Sequence, residues 1–317
     1  MNLVVRKFLF AFFAALFVVS APLVILYTAG YRLNVTSRRV LQTGVIAITT
    51  APRGATITLD NVPLNDRTPF VIQRLSPKAY DLRIERKNFH PWEQRINVNE
   101  GSTSYVNARL FAIKEPVVLS EPIASDLLTQ KTNQQFVAPT DIQLVDKKVQ
   151  VEIWRLNSEG EVLIGILPSG NYELVHDDGS SLLLINEYKT PFVVARSGGN
   201  VIELSPSLAA FSWLDDSHSL LWTDGTEVAI YDANSDHKET ITRLGTPIID
   251  VAWHPSGDSF FYGTSTQIFA AAREQYDTRP TVTLADNLTI SDFWLSENGK
   301  TLYLANDQSV SALSLTE

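Results

Sequence analysis

Hydrophobic and polar positions change their rhythm twice along the chain, and each rhythm predicts a different element. From Phe8 to Tyr31 there are 24 residues without a charge, including five Phe among Leu, Val, Ile and Ala. As a helix this run would reach roughly 36 Å, enough to cross a hydrocarbon core of about 30 Å with some tilt. Arg6 and Lys7 precede it, and Tyr27 and Tyr31 sit where an interfacial aromatic belt would lie. Pro22 is internal, which membrane helices tolerate. The competing reading is a cleaved signal peptide, whose apolar core is only about 7–15 residues. Ser20-Ala21 is followed by Pro22, a poor residue after a cut, and Thr28-Ala29-Gly30 is a weak alternative site. Length favours an uncleaved transmembrane helix over residues 8–31, after a short tail of residues 1–7. The cationic count is nearly balanced across it, and the short tail favours a cytoplasmic amino terminus.

Beyond a linker at 32–43, residues 44–112 switch to a period of two. Tyr80, Leu82 and Ile84 alternate with Asp81, Arg83 and Glu85. Ile96 and Val98 alternate with Arg95 and Asn97, and Val106, Ala108 and Leu110 with Asn107 and Arg109. Half-buried strands read this way. Further strands fit Val45–Thr50, Thr56–Asp60 and Phe70–Leu75, with turns at Pro52-Arg53-Gly54, Asp60-Asn61, Ser76-Pro77, His90-Pro91 and Glu100-Gly101. About six short strands predict a small antiparallel β-sandwich.

Pro52, Gly54 and Ala55, then Ile57 to Asp60, Thr68-Pro69, Leu75 with Tyr80-Asp81-Leu82, and Phe89 to Trp92 together resemble a PEGA domain. Arg53 stands where the family tetrapeptide has Glu, and Asn61 where Gly is usual; Asn tolerates the same turn. The resemblance implies a small β-sandwich of surface and envelope proteins, a binding or spacer module and not an enzyme. Gly54 allows a tight turn, Thr68-Pro69 opens a strand, and Trp92 is expected to pack against the sandwich.

The third rhythm is a repeat. Trp213, Trp253 and Trp294 are spaced by 40 and 41, and so are Trp222, Tyr262 and Tyr303. Each Trp precedes a polar turn (Asp215–His218, Pro255–Asp258, Ser296–Lys300), an apolar run and a second turn. Fainter copies lie near Val175–Ile185 and Asp141–Leu156. Several short strands in a period of 40–45 are the mark of a β-propeller blade. The 205 residues of 113–317 have room for about five, with Val117–Leu119 available to complete the last blade. Trp253 to Gly257 resembles the hairpin of WD40-like and TolB-like propellers, and Tyr231-Asp232 resembles their Trp-Asp position. The expected fold is therefore mainly β: a transmembrane helix, a PEGA-like sandwich and a propeller of about five blades.

Charge follows the same divisions. Residues 1–43 carry five basic side chains and no acid; residues 44–112 carry 9 basic and 6 acidic, a net +3; residues 113–317 carry 12 basic and 29 acidic, a net −17. A body so acidic repels nucleic acid. The absence of Cys excludes disulfides, Cys-ligated zinc and iron–sulfur clusters. Arg83, Arg86, Lys87 and Arg95 could meet anionic lipid or wall polymer, or form a solvated strand face with Asp81, Glu85 and Glu93.

Catalytic patterns are missing. The five His (90, 176, 218, 237, 254) form no His-Glu-x-x-His, and four fall in predicted turns, where solvated roles are expected. No nucleophile elbow, phosphate loop or dinucleotide fingerprint occurs. Asp232-x-Asn234-x-Asp236 begins like a calcium loop but has His237 and Arg243 where Gly and Glu belong. Asp177-Asp178 and Asp215-Asp216 recur at one place in the repeat, as turn residues do. No cofactor, metal or catalytic residue is expected. The sequence predicts a single-pass protein of the cytoplasmic membrane with an extracytoplasmic body, binding the bilayer through 8–31 and a protein or envelope polymer through its β domains. The alternative is a hydrolase or lyase, which would bring acids and a His together at the mouth of a propeller channel.

Overall fold

The computed structural model describes residues 3–28, 31–34, 39–133, 136–158 and 160–317. Met1 and Asn2 of the tail, the Ala29-Gly30 cut and linker residues 35–38 lie outside them. The chain is mainly β, with several small antiparallel sheets, and divides into two compact units. The first is Met1–Leu110 with Glu274–Pro280; the second is Phe111–Arg273 with Thr281–Glu317.

The first unit begins with helix α1 (Leu3–Thr28). The side chains described without a break run from Arg6 to Pro22. Among the described residues no helix is long and apolar enough to cross a membrane. The membrane-crossing expectation is thus carried by the sequence. The stretch expected as linker instead pairs β1 (Tyr31–Asn34) with β2 (Arg39–Gln42).

Seven strands follow: β3 (Gly44–Ala51), β4 (Thr56–Leu59), β5 (Val62–Arg67), β6 (Phe70–Leu75), β7 (Lys78–Glu85), β8 (Trp92–Val98) and β9 (Thr103–Arg109). They form two sheets, β6-β3-β9 and β5-β4-β7-β8. The alternation dictates which side chains are buried: Ile46, Ile48, Ile57, Leu82, Ile84 and Val106 are at most 1% exposed. Burying each such side chain contributes roughly 1.5–3 kcal/mol. Two details depart from the sequence reading. β3 and β9 run parallel, so the sandwich is not wholly antiparallel. β5 was not predicted, because its residues are almost all exposed and an edge strand without a buried face shows no apolar alternation.

The second unit repeats one meander five times. The first has β11 (Ile142–Asp146), β12 (Gln150–Asn157) and β13 (Gly160–Pro168). The second has β14 (Tyr172–Asp177), β15 (Ser181–Asn186), β16 (Pro191–Ala195) and β17 (Val201–Glu203). The third has β18 (Ala210–Leu214), β19 (Ser219–Thr223), β20 (Glu227–Asp232) and β21 (His237–Arg243). The fourth has β22 (Ile248–Trp253), β23 (Ser259–Thr264), β24 (Ile268–Ala272) and β25 (Thr281–Ala285). The fifth has β26 (Asp292–Leu295), β27 (Thr301–Ala305) and β28 (Val310–Ser314), and gains β10 (Val117–Val118) as its fourth strand. Val117 pairs with Ala312 and Val118 with Ser311.

The second strand of each of the last four meanders is an unbroken apolar run because both of its faces are covered. Leu182 and Leu184 pack with Val151 and Ile153 of the first meander, whereas Leu183 packs with Leu220 and Trp222 of the third. Leu221 then packs with Phe260 and Tyr262, and Phe261 with Phe293, Leu302 and Leu304. On the last sheet the opposite face carries Trp294 and Tyr303, against an unpredicted helix α2 (Glu121–Asn133) that buries Ala124 there.

The equal Trp spacing conceals a slip. The first hairpin of the third meander closes at Leu214 and Ser219, and that of the fourth at His254 and Ser259. The fifth closes at Ser296 and Thr301, so Trp294 stands one residue farther from its turn. One residue in a strand reverses the face. Trp253 therefore packs toward the preceding sheet, while Trp294 points to α2 and Phe293 takes the inter-sheet position. Phe293→Ala should destabilise the chain by about 3–5 kcal/mol in denaturant unfolding. Trp294→Ala should cost less than half as much; equal costs would contradict the register.

Candidate functional site

In the first unit the residues singled out by sequence gather at two turns. Thr68 is buried, its hydroxyl accepts the Ala55 amide at 3.0 Å, and it lies 2.5 Å from the Thr50 hydroxyl. Gly54 donates to the Thr68 carbonyl at 2.9 Å, with φ of +84°, which suits glycine. Ala51-Pro52 and Thr68-Pro69 are both cis. Asp60 and Asn61 have positive φ, as the predicted turn requires. The Asp60 carboxylate accepts Lys78 at 2.5 Å and the Asp81 amide at 3.0 Å, and Lys78 beside it holds its pKa below the usual range. Trp92 is buried, edge-on to Tyr276 at 5.5 Å. These residues hold the module together. Thr68→Val removes a buried acceptor and should cost about 1–3 kcal/mol in thermal melting.

The basic cluster is matched by acids. Arg83 meets Glu85 and Glu93 at 2.5 Å each, and Arg95 lies 4.0 Å from Asp81. Arg86 donates to the Arg53 carbonyl at 2.5 Å and lies over the Phe89 ring. Arg83, Arg95, Asp81 and Glu93 line one cleft of about 320 Å³, whose wall therefore carries both signs of charge. The solvated strand face describes Arg83 and Arg95 better than a cationic patch does.

In the second unit the polar turns join neighbouring sheets. Arg196 donates to Asp141 at 2.6 Å and to Asp177 at 2.5 Å. The guanidinium lowers the Asp141 pKa. The Asp178 side chain is fully buried. It accepts the Ser180 and Ser181 amides of its own turn, Trp213 Nε1 at 3.0 Å, and lies 2.6 Å from His218 Nδ1. Burial raises its pKa, but the hydrogen bonds from His218, Ser181, Ser180 and Trp213 outweigh this and hold it low. Asp232 caps its turn through the Asn234 and Ser235 amides. Two His depart from expectation. His176 lies within β14, and His254 is buried, its ring nitrogens 2.6 Å from Ser256 Oγ and 3.2 Å from the Gly299 carbonyl. Among the described residues no group of three or more His, Asp or Glu could hold a metal ion.

Two places on the first strands of the meanders stand apart from this turn chemistry. One is a cleft of about 650 Å³ between β11, β14 and the segment 136–139. Ile142, Leu144, Leu174, Val175, Phe136 and Pro139 form its apolar walls, and Glu173 supplies a carboxylate. The other is an acid pair, Asp250 on β22 and Asp292 on β26. Desolvation, together with the Asp292 carboxyl beside it, pushes the Asp250 pKa up to about 7. Lys131 of α2 pairs with Asp292 and lies 4.8 Å above the Trp294 ring. Sequence reasoning missed this trio. Asp250 and Asp292 are 42 residues apart in a repeat of 40–41, and Lys131 comes from a helix with no repeat signal.

Residues 43–113 match the PEGA domain family model, nearly the span marked out by the alternating strands. No curated protein matches the chain significantly.

Asp250 keeps its proton in the folded state and loses it in the unfolded state between pH about 4 and 7. The folded state binds more protons there, so this group makes stability fall as pH rises through that window. Asp250→Asn keeps a donor toward Asp292 and cannot ionise. Relative to the parent, its melting temperature should rise from pH 5 to pH 8, by a gain on the order of 2 kcal/mol. A pH-independent difference would contradict the shared proton.

Proposed function

We propose that the protein is a single-pass membrane-anchored component of the cell envelope whose PEGA and repeat units act as a non-catalytic binding or scaffolding unit for a protein or glycan partner. The observation that carries this reading is the five-fold meander whose last sheet takes its outer strand, β10, from the start of the same unit. Strand exchange of that kind accompanies a β-propeller of five blades, a fold whose faces present loops for recognition. The PEGA match supports an envelope setting. For the anchor, support comes from the uncharged run Phe8–Tyr31 and from Phe8, Phe10, Phe13 and Phe17, each more than half exposed on α1. The basic segments up to residue 112 would lie at anionic head groups, and the acidic remainder would be repelled from them.

A second reading, a hydrolase or lyase in the propeller channel, is favoured by one observation, the neighbouring carboxyls of Asp250 and Asp292, where desolvation and Asp292 raise the Asp250 pKa. It requires turnover that Asp250→Asn and Asp292→Asn both abolish.

The full chain should remain in the membrane fraction after alkaline carbonate washing, and Phe13→Lys with Phe17→Lys should release it. Protease added to intact cells or spheroplasts should digest the repeat unit. Protection of that unit would place it in the cytoplasm and overturn the extracytoplasmic reading.

A further inference from the structure

With the second unit read as a binding unit, the cleft between β11 and β14 has the chemistry of a specific site. Its volume, about 650 Å³, is that of a pocket for a few residues of chain. β11 and β14 are each the edge of their sheet, so among the described residues the backbone groups on the outer side of both have no ladder partner. An extended polypeptide can use such edges, with alternate side chains entering the apolar walls.

The charge at the cleft is of one sign. Glu173 is exposed, and among the described residues it forms no ion pair. A row of rings leads away from the cleft: Phe136 lies 6.1 Å from His176, which stacks on Trp213 at 4.9 Å. His176 Nε2 ends this row 3.0 Å from Asp215, whose side chain is 67% exposed. Aromatic faces and carboxylates together attract a cation. The net −17 of residues 113–317 would draw a basic segment toward the site.

We propose that this cleft binds an extended polypeptide segment in which an apolar side chain is flanked by Lys or Arg. The apolar side chain fills the space between Leu144 and Leu174, and the cation meets Glu173.

The test uses the full chain in detergent and fluorescence anisotropy of a labelled Lys-Leu-Lys-Val-Lys peptide. The expected results are saturable binding, about tenfold weaker for the Gln-Leu-Gln-Val-Gln analogue, and about tenfold weaker again for Glu173→Lys and Phe136→Ala with the lysine peptide. Glu297→Lys makes the same charge change on an exposed turn of the fifth meander and should alter binding less than about twofold. Equal losses from Glu173→Lys and Glu297→Lys would show diffuse attraction and overturn the proposal. So would displacement of the peptide by an N-acetylglucosamine oligosaccharide, which would make the cleft a glycan site. If the peptide does not bind but an envelope partner is retained equally by parent and Phe136→Ala protein, this proposal fails and the binding-unit reading stands. Loss of both fails both.

Discussion

A sheet of four short strands with apolar side chains on both faces cannot stand alone in water, and the second unit is organised around that constraint. Leu182-Leu183-Leu184, Leu220-Leu221-Trp222 and Phe260-Phe261-Tyr262 each send alternate side chains to the sheets before and behind. Every meander is thereby both a cover and something to be covered. The two ends of the series meet the demand differently. In the first sheet Gln150 and Glu152 alternate with the buried Val151 and Ile153, so its second face needs less cover. In the fifth, α2 supplies an apolar contact through Ala124.

Much of the polar chemistry lies at the turns by the same logic, although Glu227 is buried on β20 with Thr240 and Arg243 as partners. The second strands, buried on both faces, have little place for a carboxylate, so many of the acids collect where the chain reverses. There they first satisfy their own turn amides, as Asp178 and Asp232 do, and then reach the next sheet. Asp178 holds Trp213 and His218 of the third meander, and Arg196 of the second holds Asp141 of the first. The fourth and fifth are joined through His254 and the Gly299 carbonyl. These bonds orient sheets whose apolar contacts alone would permit sliding.

Asp250 and Asp292 lie on strands and away from the turns. Two neighbouring carboxyl groups cannot both be charged without cost, and Lys131, paired with Asp292, offsets only part of the cost at Asp250. The raised pKa of Asp250 is the consequence. The Lys131–Asp292 ion pair ties the last turn of α2 to the fifth meander. The binding cleft lies on the corresponding strands of the first two meanders, where apolar walls replace the acids.

The sequence by itself determined a great deal here. Period-two alternation sets the faces of β7, β8 and β9, the turn residues set the hairpins at Asp60-Asn61 and in the repeat, and the PEGA span follows from residues local to the motif. The spacing near 40 predicted about five repeats, because each copy carries its own apolar run and turn. Apart from β10, which the repeat made available to the last sheet, what depends on partners distant in the chain was invisible. β5 is an exposed edge whose strand form is imposed by β4, and the parallel pairing of β3 with β9 joins segments with no local link. The extra residue before Ser296 turned Trp294 to the opposite face, although its spacing matched the others to within one residue. The acid pair with Lys131 and the cleft beside Glu173 exist only where sheets and α2 converge. Period and turn chemistry are properties of neighbouring residues and can be read along the chain. Burial, shared protons and cavities are properties of surfaces that meet, and only the tertiary structure decides which surfaces do.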